Sequence, residues 1–191
     1  MAEQQRDVIE VLEHDHREVE EIFAELETLR GAATDETRSR RKHLTEQVTT
    51  ELVRHSVAEE VIVYPHVEDK VSAEEAEHAR EEHAEAEETL HRLEKLDPDD
   101  PSFDEELDTL MAEIRHHIED EEGDIFAHMR QVIDADELRK LGSRVEAFKK
   151  VAPTRPHPNV PNEALPRTAA GPAASLFDRM RDVASGRGGD G

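Results

Sequence analysis

The chain has 191 residues, of which 38% are charged and 35% are hydrophobic, so it suits helices that each bury one apolar stripe better than a thick globular core. Its formal net charge of −24 disfavours nucleic acids and anionic membranes as partners, because so acidic a surface repels phosphate groups. Cysteine is absent, which excludes disulfide bonds and thiolate metal sites.

The opening residues and the apolar runs of the sequence predict neither secretion nor insertion into a membrane. The opening residues, MAEQQRDVIEVLEHDH, lack a basic segment followed by an apolar one, so no signal peptide is predicted. No apolar run is long enough to span a bilayer. We therefore expect a cytoplasmic protein that does not associate with membranes.

The first two predicted helices form a hairpin. The first covers about residues 4–30 and ends near Gly31, and the second covers about residues 36–63 and is closed by Pro65. Their apolar residues recur at steps of three and four, which predicts one buried face per helix. These residues are Val8, Leu12, Val19, Ile22, Phe23, Leu26 and Leu29 in the first helix, and Leu44, Val48, Leu52 and Ile62 in the second.

The next two predicted helices form a second hairpin. The third begins at a predicted capping box of Ser72 with Glu75, and the fourth begins at another of Ser102 with Glu105. Their apolar stripes are Ala76, Ala79, Ala86, Leu90 and Leu93 in the third helix, and Leu107, Leu110, Ile114, Ile118, Ile125 and Val132 in the fourth.

The short connections predict an all-α fold, an antiparallel up-down-up-down four-helix bundle with a short fifth helix and a Pro-rich C-terminal tail. The bundle is assigned to residues 1–133 and the accessory helix to 134–150. Residues 151–191 are predicted to be a largely disordered Pro-rich linker that contains one short amphipathic helix.

One histidine–carboxylate phrase occurs twice in the sequence. It is LVRHSVAEEVIVYPH at residues 52–66 and IRHHIEDEEGDIFAH at residues 114–128. The repeat aligns His55, Glu59, Glu60, Tyr64 and His66 with His117, Glu121, Glu122, Phe126 and His128. Each hairpin also carries an acidic residue followed by histidine, Asp15–His16 and Glu82–His83, so the whole hairpin is duplicated.

Helical facing selects which of these polar groups point into the bundle. At roughly 100° per residue, one histidine from each helix falls on or beside the apolar stripe, and two glutamates do so as well. Their neighbours His14 and His116 face the opposite way. The inward set, and hence the candidate metal ligands, are His16, His55, Glu59, His83, His117 and Glu121.

Two interpretations of the inward set remain open. A lone His-x-x-x-Glu usually marks an exposed i,i+4 pair, and buried histidine–glutamate ion pairs could form a structural polar core. A bound cation accounts for the set more completely, because it balances both carboxylates and uses all six lone pairs. Imidazole with carboxylate suits iron, with manganese or zinc as alternatives, and six ligands suit two metals with bridging carboxylates.

These residues resemble the hemerythrin-like, or HHE cation-binding, family of bacterial type. The resemblance rests on LEHDHREV, RHSVAEEVIVYP, EEHAEAEETL and HHIEDEEGDIF, and covers roughly residues 5–130. It implies a four-helix bundle that holds a non-haem di-iron centre ligated by the six inward residues.

The sequence departs from the oxygen-carrying members of that family. They carry two histidines four residues apart on the third helix, whereas the positions four away from His83 are Ala79 and Glu87. They also place an aspartate five residues after the last histidine, whereas Glu121 follows His117 by four. This indicates a site richer in carboxylates, and the candidates to complete its ligand shell are Glu20, Glu60, Glu87 and Glu122.

Two further residues lie beside the predicted site. Tyr64, the only tyrosine, either hydrogen-bonds to the site or packs at the end of the second helix, and Phe126 at the equivalent position favours packing. Asp15 either supports a ligand histidine or is a solvated acid.

Three functions follow from this sequence. The first is a di-iron protein that reacts with or senses oxygen species, or buffers iron, with oxygen, peroxide or another small ligand at the iron. The second is an enzyme in which the same centre decomposes peroxide in a catalase-like reaction. The third is a helical interaction scaffold with a structural polar core, whose protein partner the sequence does not identify.

Overall fold

The computed structural model describes residues 6–31, 34–152 and 154. The chain divides into two compact units, residues 1–156 and 157–191, and the second unit lies outside the described residues. The linker and short helix predicted within 151–191 therefore fall almost entirely outside the described part of the chain and stay predictions.

All elements of the described residues are helical. In chain order they are α1 (Val8–Thr28), α2 (Asp35–Ala58), the π-helical turn π1 (Glu59–Val63), α3 (Tyr64–Lys70), α4 (Ala73–Leu93), α5 (Phe103–Asp120), the π-helical turn π2 (Glu121–Ile125), α6 (Phe126–Val132) and α7 (Ala135–Lys149). Because α2, π1 and α3 follow one another without a break, they form one long helix, and α5, π2 and α6 form another. The predicted all-α antiparallel bundle with a short fifth helix is confirmed.

Neither predicted capping box is complete. At the first, the backbone N–H of Glu75 donates to Ser72 Oγ at 3.2 Å, as predicted, but the Ser72 backbone N–H donates to the carbonyl of Val67 and the Glu75 side chain contacts His128 instead. The Ser102 hydroxyl makes no cap bond, because Ser102 already has helical dihedral angles (φ −83°, ψ −11°) that turn its side chain away from the first turn of α5. Instead, the Ser102 backbone N–H donates to Asp100 Oδ1 at 2.9 Å.

The prediction that Pro65 closes the second helix is wrong. The helical path continues through Pro65 to Lys70. In π1 the N–H of Tyr64 bonds to the carbonyl of Glu59, five residues back, so Pro65 stands in the first turn of α3. A proline is tolerated there because its missing N–H and its ring disturb the first turn least. The His66 ring nitrogen Nδ1 lies 2.9 Å from the carbonyl of Ile62 and provides it with a side-chain donor.

The apolar stripes form the core, with one exception at its edge. Every predicted stripe residue is buried or partly buried except Val132, which is 54% exposed. Val132 is the last residue of α6, where the chain turns towards α7, and the inward positions of that turn belong to Met129 and Ile133.

The fifth helix packs closely against the start of the first. A Cβ atom added to Gly142 of α7 would lie 2.6 Å from the carbonyl oxygen of Arg6, so only glycine permits this approach. The contact brings Lys149, at the end of α7, to Asp15 in the middle of α1.

Among the described residues, no helix is both long enough and apolar enough to cross a membrane.

Candidate metal centre

The structure brings together all six residues that the sequence placed inward. α1 contributes one histidine and α4 another, while the two long helices each contribute a histidine and the glutamate four residues later. The relative exposures are 5% for His16, 4% for His55, 0% for Glu59, 6% for His83, 4% for His117 and 0% for Glu121. Ala79 and Ala86, one turn to either side of His83, leave room for this cluster between the helices.

The four imidazoles form two facing pairs. The Nε2 atoms of His16 and His55 are 3.2 Å apart, and those of His83 and His117 are 3.1 Å apart. The rings within each pair are tilted, with interplanar angles of 59° and 57°. Each pair therefore directs two Nε2 atoms at a common point, as two ligands of one metal ion do.

The two carboxylates lie between these pairs. Glu59 Oε2 is 3.0 Å from His55 Nε2 and 3.4 Å from His83 Nε2. In the same way, Glu121 Oε2 is 3.4 Å from the Nε2 atom of His16 and 3.5 Å from that of His117. Each glutamate thus contacts one histidine of each pair, which is the placement of a bridging carboxylate.

A cation fits this cluster because its buried oxygens lack donors. From the described part of the chain, neither oxygen of Glu59 receives a hydrogen bond of good geometry, and Glu121 Oε2 receives none either. A buried carboxylate without partners costs several kcal/mol. The ligand atoms of His16, His55, Glu59 and Glu121 lie within 4.8 Å of one another, as do those of Glu59, His83 and His117, so the two sets share Glu59.

A second layer of carboxylates orients the imidazoles through their outer nitrogens. Every inward histidine places its Nδ1 atom beside an acid from another helix, which keeps the Nε2 lone pair available to a metal. The Nδ1 contacts are His16 with Glu122 at 2.9 Å, His55 with Asp15 at 3.3 Å, His83 with Glu60 at 3.2 Å and His117 with Glu82 at 2.9 Å.

These contacts show where the four glutamates lie that the sequence analysis named as candidates to complete the ligand shell. Glu60 and Glu122 lie on the outer side of the imidazoles, Glu20 is ion-paired with Arg115 at 3.0 Å, and Glu87 belongs to neither set of ligand atoms. Asp15 supports His55 and is 7% exposed, so it is not a solvated acid. The role of Glu82 was missed, although its place before His83 matches that of Asp15 before His16.

Tyr64 also belongs to the cluster, so the hydrogen-bonding alternative is confirmed and the favoured one, packing alone at the helix end, is wrong. Its hydroxyl donates to Glu121 Oε1 at 2.9 Å and lies 3.2 Å from His83 Nε2. In an uninterrupted α-helix, Tyr64 would lie about 140° around the axis from Glu59. The π1 turn instead stacks residue i+5 below residue i, which brings Tyr64 onto the same face. Phe126, placed likewise by π2, stacks on His16.

The buried histidines and carboxylates of the cluster shift one another's pKa values. Burial lowers the pKa of His55, but Glu59 and Asp15 outweigh it and raise that pKa to about 10. Burial likewise opposes protonation of His83, yet Glu59 and Glu60 raise its pKa to about 9. Burial raises the pKa of Glu59, but His55 and His83 hold it well below its ordinary value. A metal therefore has to displace protons from both histidines.

The histidines that the sequence placed outward lie outside this cluster. The side chains of His14 and His116 are 46% and 67% exposed. His66 bonds the backbone, and the half-exposed His128 pairs with Glu75 at 3.2 Å.

Comparisons with known proteins agree with this geometry. The family model of the hemerythrin HHE cation-binding domain matches residues 7–129. An uncharacterised hemerythrin-like protein of Schizosaccharomyces pombe is 31% identical over 172 residues, which cover 88% of this chain and 82% of that protein. A DNA nickase of Nostoc is 22% identical over 146 residues, and this match spans 76% of the chain but 40% of the nickase.

A solved structure shares the fold. The crystal structure of a hemerythrin HHE cation-binding domain-containing protein of Mycobacterium kansasii superposes with a TM-score of 0.63 at 21% identity, covering 76% of this chain and 88% of that one. Since the family model covers more than half of the chain and ends just beyond the duplicated hairpins, the chain belongs to the hemerythrin HHE cation-binding family.

Proposed function

We propose that the protein binds two iron ions in its bundle and uses them to react with or sense oxygen species, or to buffer iron. The observation that carries the proposal is the position of Glu59 and Glu121, each with one oxygen between the two histidine pairs. One metal would hold His16 and His55, and the other would hold His83 and His117. Manganese or zinc is the alternative occupant, since imidazole and carboxylate ligands suit all three metals.

The ligand count favours a reactive centre. Two histidines and two shared carboxylates would hold each metal, which is fewer protein groups than an iron ion of six ligands requires. Bound iron would supply redox chemistry with oxygen species. The chain supplies the rest, because the second layer of carboxylates fixes the imidazoles and the apolar core keeps bulk water away.

The peroxide-decomposing enzyme is a second candidate, and Tyr64 favours it. Burial and the nearby carboxylates Glu121 and Glu59 raise the pKa of Tyr64 well above its ordinary value, so its hydroxyl stays protonated. The hydroxyl donates to Glu121 Oε1 at 2.9 Å and lies 3.2 Å from His83 Nε2, so an O–H group stands inside the centre, where a reaction that breaks an oxygen–oxygen bond requires a donor. The scaffold alternative is less favoured, because a purely structural polar core would leave the Glu59 oxygens without good hydrogen bonds.

Mixing iron-loaded protein with hydrogen peroxide separates the two candidates. Loss of many peroxide molecules per chain supports the enzyme. A single spectral change without turnover supports a sensor or an iron buffer. Absence of any spectral change and of any peroxide loss would contradict both.

The DNA-directed activity in the name of the Nostoc relative is not extended to this chain. The chain spans 40% of that protein, and its net charge of −24 repels the phosphates on which DNA affinity depends. We propose that no nucleic acid is a partner, and a plasmid-nicking assay with metal-loaded protein tests this.

A further inference from the structure

The centre has a first half built on His16 and His55 and a second half built on His83 and His117. The halves differ in the charge that balances the carboxylate beside an outer Nδ1 atom. In the first half, Asp15 Oδ2 is 3.3 Å from His55 Nδ1, and Asp15 Oδ1 is 2.6 Å from the ammonium group of Lys149. A cation of the protein therefore balances the carboxylate that orients His55. This cation comes from α7, which lies outside the duplicated hairpins.

Among the described residues, no such cation balances the matching carboxylate in the second half. Glu82 Oε2 is 2.9 Å from His117 Nδ1, whereas Glu82 Oε1 is buried and has no hydrogen bond to any described residue. Within the described part of the chain, neither lysine nor arginine makes an ion pair with Glu82. Its remaining ionic neighbours are the exposed imidazoles of His78 and His116.

Metal-ligating side chains surround this unbalanced carboxylate from two helices. His78 and Glu82 are four residues apart on α4, and His116 and Asp120 are four residues apart on α5. The hairpin repeat places Val11, Arg54 and Ala58 at the positions of His78, His116 and Asp120, so the first half lacks these ligands.

The distances suit a metal ion without backbone movement. His78 Nε2 is 3.7 Å from Glu82 Oε1 and 3.5 Å from Asp120 Oδ2, and all three ligand atoms lie within 4.8 Å of one another. Ligands of a tetrahedral zinc ion stand about 3.3 Å apart at ordinary bond lengths. His116 flanks the group, with its Nε2 atom 4.0 Å from Glu82 Oε1.

We propose that His78, Glu82 and Asp120 bind one divalent transition-metal cation at the surface, with His116 as a fourth donor that swings in. The bound cation balances the negative charge of Glu82, as the Lys149 ammonium group balances that of Asp15. The site lies one hydrogen bond from His117, because Glu82 offers one oxygen to each. Imidazole with carboxylate suits zinc, ferrous iron or manganese, and the inference does not depend on which metal fills the buried centre.

The test is a calorimetric titration of the full chain with zinc chloride, after its buried centre has been loaded with iron and loose ions have been removed. We expect wild-type protein to bind one zinc ion per chain at this site. His78→Ala should weaken this binding about tenfold or more, and Asp120→Asn should weaken it as well. Unchanged zinc binding by both variants would overturn the proposal.

His14→Ala is the matched control. His14 is also an exposed histidine of an i,i+4 pair, 3.6 Å from Glu18, but within the described residues no second helix adds a ligand there. This variant should bind zinc like the wild type, and a loss equal to that of His78→Ala would count against the site. Iron measured in each sample before titration reports on the buried centre separately, so its failure is distinguishable from failure of the surface site.

Discussion

Tyr64 is a further difference between the two halves of the centre. The hairpin repeat places a phenylalanine, Phe126, where the other half has this tyrosine. Phe126 stacks on His16, whereas the Tyr64 hydroxyl contacts Glu121 and His83. The half that contains His83 and His117 therefore has a polar group that the other half lacks.

Replacing Tyr64 with phenylalanine should loosen the metal in that half without unfolding the chain. The aromatic ring is kept, and the equivalent Phe126 shows that a phenylalanine packs at this position of the repeat. Glu121 Oε1, however, loses the hydroxyl that donates to it. A partner of this kind is worth about 10- to 100-fold in metal affinity. Metal release to a chelator, followed by absorbance, should become faster for one of the two ions. The matched Phe126→Tyr variant should not accelerate release of that ion, and equal release rates in wild type and Tyr64→Phe would contradict the role.

At the scale of elements, the two π turns change the facing of the residues that follow Glu59 and Glu121. π1 begins at Glu59 and π2 begins at Glu121, so the same distortion occurs at the same place in both hairpins. Turns of this kind interrupt the α-helical ladder and are common at functional sites. They explain why residues just beyond each glutamate are rotated relative to a straight helix.

The contact between α7 and α1 can be tested through two glycines. Gly142→Ala should destabilise the fold by about 1–3 kcal/mol, because its Cβ would meet the backbone of Arg6 and Asp7 at 2.6 and 2.8 Å. Gly123→Ala is the control, since nothing lies within 4 Å of a Cβ there. Thermal unfolding should show a lower midpoint for Gly142→Ala than for the wild type, whereas the midpoint of Gly123→Ala should not be lowered. Equal midpoints for Gly142→Ala and wild type would mean that α7 does not pack as described.

Helix periodicity was enough to predict the bundle and to bring the six inward residues together, because both depend on the 3.6-residue repeat. The favoured role of Tyr64 and the role of Pro65 were predicted wrongly for one reason: no residue pattern in the sequence predicts the π1 turn that precedes them. The contact of Lys149 with Asp15 was likewise inaccessible, since it depends on how α7 docks on α1. The carboxylates on the outer nitrogens were partly visible, as the second glutamate of each repeated Glu–Glu pair.

At the scale of the whole molecule, two kinds of charge affect metal binding: the net negative charge of the chain and the protons on the buried histidines. The net charge of −24 attracts cations in general, whereas the buried centre holds imidazoles whose protons have to leave before a metal can bind. Stability and metal binding are therefore both linked to pH.

Metal-free protein should lose stability as the pH rises from 7 towards 10. The pKa of His55 is raised to about 10 and that of His83 to about 9, above the value of about 6.5 expected in the unfolded chain. Their contribution is fully present below about pH 6.5 and is lost as the pH rises through the folded-state values.

Metal-loaded protein should show a smaller loss over this range, because its ligand histidines are already neutral. The stabilisation by metal, measured as the difference between the two melting temperatures by circular dichroism, should thus grow with pH. A difference that stays constant or shrinks between pH 7 and pH 9.5 would contradict the linkage.

The most direct test of the central claim is the metal content of chain purified without chelator from iron-replete cells, with ligand and control variants side by side. We expect about two iron ions per wild-type chain, as the two histidine pairs with shared carboxylates require. His55→Ala and His117→Ala should each lose most of this iron, whereas His14→Ala should retain it. One zinc ion and no iron in the wild type, or equal iron loss from His14→Ala and His55→Ala, would contradict a di-iron centre built from these residues.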